Sequence, residues 1–110
     1  MTLQNKKYRK CIDACNSCME ACEVCYASCL RGDAKMMAKC ISLCRECSDL
    51  CSIASRTMSR DDKHTKQVCN LCATICDECA EECEKHSSHM AECKECAQVC
   101  RQCAIECRNT

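Results

Sequence analysis

At 110 residues the chain has the length of one ordinary domain, and twenty of those residues are cysteine, well above the roughly one in ten at which a short chain reads as a cysteine scaffold. Sixteen basic residues balance sixteen acidic ones, with two Tyr and no Trp or Phe, so the positive footprint and stacking platform of a nucleic-acid binder are both missing. No apolar run reaches the roughly 18 residues of a membrane span, and a single Gly with no Pro leaves little for the turns of an all-β fold.

Met1 to Lys10 has a basic start without the apolar stretch of a signal peptide. The expected compartment is therefore the cytoplasm, where thiols stay reduced and serve more often as metal ligands than as bridges. The cysteines then fall into four clusters: Cys11, Cys15, Cys18, Cys22, Cys25 and Cys29; Cys40, Cys44, Cys47 and Cys51; Cys69, Cys72, Cys76, Cys79 and Cys83; and Cys93, Cys96, Cys100, Cys103 and Cys107. Within every cluster the step alternates between four and three, which places all the thiols on one stripe of an α-helix. The spacing predicts helices over 4–31, 34–58, 61–86 and 89–108. Gly32 is expected to close the first in a left-handed conformation, and Asp33 to cap the second. Ser59 or Asp61 is expected to start the third, and Ser87 or Ser88 the fourth. Short connections force antiparallel neighbours, so the expectation is an all-α, antiparallel up-down-up-down four-helix bundle with a Cys-lined core, as a single domain over 1–110.

Reflecting the chain about Gly32, Ser59 and Ser87 stacks the thiols in layers. The expected layers are Cys15, Cys51, Cys69 and Cys107; Cys18, Cys47, Cys72 and Cys103; Cys22, Cys44, Cys76 and Cys100; and Cys25, Cys40, Cys79 and Cys96. They lie roughly 5 Å apart. Cys29, Cys83 and Cys93 are left at one end beside Met36 or Met37, and Cys11 at the other beside Ala54 and Thr65. His86, His89 and Met90 fall at the same end as the two methionines, where they are candidate intake ligands or simply a closing surface. At the opposite end Leu3, Tyr8, Ala54 and Met58 read as an apolar plug. His64 and the run Arg60, Asp61, Asp62, Lys63 read as solvated. Leu, Ile and Val are absent from the stripe and sit beside it, at Ile12, Val24, Ile41, Leu43, Leu50, Val68, Leu71, Ile75, Val99 and Ile105. There they can seal seams or form a subunit contact.

An inert cysteine core would leave the bundle without the Leu and Ile that normally fill it, and interhelical disulfides are opposed by a reducing compartment. Metal binding fits better. Nine Cys-x-x-x-Cys steps recur along the helices, and such a pair can hold a linear two-coordinate ion. Nine disjoint pairs leave Cys69 and Cys93 over. Four thiolates around Zn(II) keep a double negative charge, which is prohibitive when repeated along one narrow core. Cu(I) at one ion per thiolate leaves the core neutral and matches sulfur in softness. The expected capacity is therefore roughly twenty Cu(I) ions. A metallothionein-like Zn(II) or Cd(II) buffer and a thiol redox or disulfide protein remain alternatives. Ferredoxin spacing and the βαβ setting of a thioredoxin motif are both missing.

Cys-x-x-x-Cys repeats on four helices, with Met and His at one mouth, resemble the bacterial copper storage proteins, a cysteine-rich four-helix-bundle family. The resemblance covers essentially the whole chain. It implies Cu(I) stored along the core by all twenty thiolates, an intake at Met36, Met37, His86, His89 and Met90, and assembly as a homotetramer. It also implies copper donor or acceptor proteins as partners, and no catalytic turnover.

Overall fold

Four amphipathic stripes with no other large apolar surface can bury themselves only against one another. A computed structural model of the chain describes residues 6–110, and in it the stripes form α1 (Arg9–Arg31), α2 (Ala38–Ser59), α3 (Thr65–Glu84) and α4 (Ala91–Arg108). α1 packs on α2 and α4, and α3 packs on the same two, so the helices close a square around a single core. The short turns make each helix antiparallel to its neighbours, as expected. All twenty cysteines are buried in that core.

The positions flanking the stripe decide how the seams close. Between α3 and α4 the flanks are Ala73, Ala80, Ala97 and Ala104, all buried, and their small side chains let the two backbones approach. Ile12 and Ile75 are 3% and 8% exposed, each worth about 1.5–3 kcal/mol of burial. Ile41, Leu43, Leu50, Val68 and Val99 pack partly buried against the core. Val24, Leu71 and Ile105 stay about half exposed, so the apolar residues beside the stripe divide between seams and outer surface.

The helix ends depart from expectation in ways that matter. α1 begins at Arg9, after a turn over Lys6–Tyr8; the earlier residues of the expected helix, and Leu3, lie outside the described residues. Gly32 has φ −94° rather than a left-handed conformation, and it closes α1 through its N–H to the Ser28 carbonyl at 3.1 Å. Asp33 does cap, its Oδ1 accepting the Met36 N–H at 3.1 Å, but one turn intervenes before α2 proper begins at Ala38. Neither Ser87 nor Ser88 caps α4, whose first flanking residue is Met90 without a side-chain cap bond. Instead the Ser87 hydroxyl donates to the Glu84 carbonyl at 3.0 Å and helps finish α3.

The second turn changes the stacking. α2 continues to Ser59, and the left-handed residue is Asp61 at φ 50°. Neither Ser59 nor Asp61 caps α3, whose flanking residue His64 has no side-chain cap bond; Asp62 instead orders the turn before it, its Oδ1 accepting the His64 N–H at 2.8 Å. The chain therefore folds back between Asp61 and Asp62, and the α3–α4 pair is offset by one cysteine step from the α1–α2 pair. The clearest layer is Cys18, Cys47, Cys76 and Cys100, where Cys18–Cys100 and Cys47–Cys76 are both 3.6 Å. Above it lie Cys22, Cys44, Cys79 and Cys96, then Cys25, Cys40, Cys83 and Cys93. Below it lie Cys15, Cys51, Cys72 and Cys103. Sixteen thiols still make four layers, but the remainder is reversed. Cys29 alone extends beyond the layers at the Met and His end, and Cys11, Cys69 and Cys107 lie at the other.

Candidate metal centre

The core is a continuous column of sulfur. All twenty cysteines are free thiols, and nineteen of them are at most 1% exposed, with Cys11 at 6%. Sulfurs within one helix, such as Cys96 and Cys100 at 3.8 Å and Cys72 and Cys76 at 3.9 Å, are no closer than sulfurs on different helices, such as Cys40 and Cys83 at 3.6 Å. Each helical pair therefore has partner sulfurs on neighbouring helices at the same range of distances. Groups of four sulfurs within 4.8 Å of one another recur along the core, among them Cys18, Cys22, Cys47 and Cys100, and Cys25, Cys40, Cys44 and Cys83. Each of these unites a Cys-x-x-x-Cys pair with single thiols from neighbouring helices, which bridges adjacent layers.

Such crowding sets the proton chemistry. Burial pushes the Cys29 and Cys93 thiols up, to about 11 and about 12. The neighbouring thiols of Cys107 and Cys15 draw Cys103 down to about 7. One thiolate can be stabilised by the S–H groups around it, but adjacent thiolates repel in a medium that screens poorly. A soft cation that replaces the proton removes that repulsion.

The methionines and histidines gather at one pole, in two tiers. Met37 is 1% exposed while Met36 is 56% exposed, so the first belongs to the core and the second to the surface. The Met90 thioether accepts from the Cys93 thiol at 4.0 Å, joining surface to sulfur column. His86 and His89 meet edge to face, 5.5 Å between ring centres. Glu82, not anticipated from the sequence, is buried there with Oε2 3.2 Å from His86 Nε2. Its Oε1 accepts no hydrogen bond among the described residues and faces Lys85 at 3.2 Å and Lys39 at 3.7 Å. The signal was available: along the flank Val68, Ile75, Glu82, a carboxylate occupies the heptad position of an apolar residue.

At the opposite pole Ala54 and Met58 are fully buried and Tyr8 is half-buried. The Tyr8 hydroxyl donates to Asp61 Oδ1 at 3.1 Å and ties the start of α1 to the second turn. His64, Arg60, Asp61 and Lys63 are exposed, as expected.

The family model described as copper storage protein matches residues 4–110. The fold is also similar to solved structures. The Cu(I)-bound copper storage protein BsCsp3 is 41% identical, with 92% of this chain and 94% of that chain covered and a TM-score of 0.87. The apo form of copper storage protein 3 from Bacillus subtilis is 42% identical over 90% of this chain and 93% of that one, with a TM-score of 0.82. A cytosolic copper storage protein from Streptomyces lividans, described with five coppers, is 32% identical over 93% and 89%, with a TM-score of 0.90. No curated protein matches the sequence.

Proposed function

The chain belongs to the copper storage protein family, and from that premise we propose that it takes up Cu(I) and stores roughly one ion per thiolate along the bundle core. The observation that carries this reading is the sulfur column, twenty buried free thiols that occupy the place of a hydrophobic core. All twenty, from Cys11 to Cys107, are assigned as ligands. Each ion displaces one thiol proton, so a fully loaded core is neutral. Zn(II) on the same four-sulfur groups would concentrate negative charge where water cannot screen it.

Met36, His89, Met90 and His86 form the intake at one pole, with weaker neutral ligands that pass Cu(I) inward without trapping it. The role is storage and sequestration rather than turnover, and we assign no enzymatic activity. A cytoplasmic location is supported by the Streptomyces lividans relative described as cytosolic; among the described residues no helix is long and apolar enough to cross a membrane. The exposed Val24, Leu71 and Ile105 offer apolar surface for a homotetramer, and copper donor or acceptor proteins are the natural exchange partners.

Anaerobic Cu(I) titration against a competing chelator, with Zn(II) run in parallel, tests this. Saturation near twenty ions, with about one proton released per ion, is expected. Saturation near ten would overturn the loading of one ion per thiolate, and tighter, fuller loading by Zn(II) would overturn the choice of metal.

A further inference from the structure

The one-step offset between helix pairs leaves Cys11, Cys69 and Cys107 below the last full layer, so the pole opposite the methionines and histidines ends in thiol. Cys11 is the most exposed of the twenty cysteines, at 6% against 1% or less for the others. A cleft of about 590 Å³ opens beside it, lined by Lys7, Lys10, Lys66, Glu106 and Thr110 among others. From Cys11 the sulfurs form a ladder inward: 3.7 Å to Cys107, 3.7 Å from Cys107 to Cys15, and 3.7 Å from Cys15 to Cys103 in the first full layer. Three lysines line the cleft with one carboxylate, Glu106, which Lys10 approaches at 3.8 Å, while Lys7 faces Asp61 at 3.7 Å. The mouth at the other pole differs in kind, with thioethers, imidazoles and the buried carboxylate of Glu82.

We propose that this pole is a second intake port, built for Cu(I) presented as an anionic complex with small thiolate ligands. The inference rests on the storage reading above. A two-coordinate Cu(I) ion held by two thiolates carries a net negative charge, and thiol ligands bearing carboxylates add to it. A cleft of lysines raises the local concentration of such an anion, whereas a bare Cu(I) cation gains nothing there. The transfer is ligand exchange without redox change. A Cu–S bond to Cys11 forms as one Cu–S bond to the donor breaks, and the Cys11 proton passes to the departing donor sulfur. Cys107 then replaces the second donor thiolate in the same way, and the ion moves up the ladder to Cys15.

The test compares stopped-flow anaerobic loading from two sources, the anionic Cu(I)–glutathione complex and the cationic Cu(I)–acetonitrile complex, with final capacity measured in the same samples. Lys10→Gln/Lys66→Glu alters only exposed side chains. It is expected to slow loading from Cu(I)–glutathione about tenfold at low ionic strength, an effect that shrinks as salt is added. Loading from Cu(I)–acetonitrile and total capacity stay unchanged. Cys11→Ala is expected to slow the glutathione route similarly. Full capacity with both sources slowed alike, or with neither slowed, overturns the port alone. A wild-type chain that binds no Cu(I) from either source overturns the storage reading and the port with it.

Discussion

At the pole where α1 turns into α2 and α3 into α4, one thiol, Cys29, lies beyond the last complete layer, and the closing residues are Met36, Met37, His86, His89 and Met90. At the pole where α2 turns into α3, three thiols lie beyond the layers, among lysines and above the buried Met58. The stripes themselves do not differ between the ends. What differs is the offset between the two helix pairs, which moves α3 and α4 by one cysteine step and so transfers two thiols from one end to the other. Register, rather than cysteine count, decides which pole carries the surplus sulfur.

The hardest test of that division removes the layers and the ends separately. Replacing the sixteen layer cysteines by Ser should abolish nearly all Cu(I) capacity, whereas replacing Cys11, Cys29, Cys69 and Cys107 should remove only about a fifth, if each thiolate holds one ion. Chelator-competition titration reads the difference. Equal losses from the two variants would show that the layers are not the stores.

The next largest effect is on stability. Met58 is fully buried at the sulfur-ended pole, and Met58→Ala should cost about 2–5 kcal/mol through lost burial and the cavity left behind. Met36→Ala at the other pole removes a side chain that is 56% exposed and should change stability by less than about 0.5 kcal/mol. Urea denaturation of the apo protein under reducing conditions measures both, and similar costs would erase the contrast between a methionine buried at one pole and a methionine exposed at the other.

Helix type, helix number and the burial of every cysteine were legible because one residue type at a 3.5-residue period leaves a single reading. The four-layer pattern was legible for the same reason. The end assignment was not, because it depends on where a turn reverses to within two residues. Ser59 looked like a helix start, but nothing in composition distinguishes it from Asp62, and Asp61 adopts a left-handed conformation that only a minority of non-glycine residues visit. Gly32, the natural candidate for that conformation, does not use it. Glu82 was not legible because one Glu among 32 charged residues of both signs reads as surface, although its heptad position put it on the buried flank. Lys10 and Lys66 acquire meaning only once the offset brings Cys107 beside Cys11 at that pole.

The register itself can be perturbed at its turn. Asp62→Ala removes the acceptor for the His64 N–H and should cost about 1 kcal/mol, read as a lower urea midpoint with capacity unchanged. A loss of capacity instead would mean that the turn sets the layers more delicately than a single hydrogen bond suggests.

A further test concerns protons at the Met and His pole. In the folded apo protein Cys29 and Cys93 hold their protons up to about 11 and about 12, against an ordinary thiol value of 9.0, because burial disfavours the thiolate. The unfolded chain gives up those protons once pH passes 9, while the folded chain keeps them. Their contribution to stability is therefore fully present below pH 9 and is lost as pH rises through about 11 to 12. The urea midpoint of the apo protein should fall over that window, and Cys29→Ser/Cys93→Ser should flatten part of the fall. Copper loading should remove this slope, since the bound thiolates carry no proton to lose. A slope that survives loading would mean that the titrating groups lie outside the sulfur column.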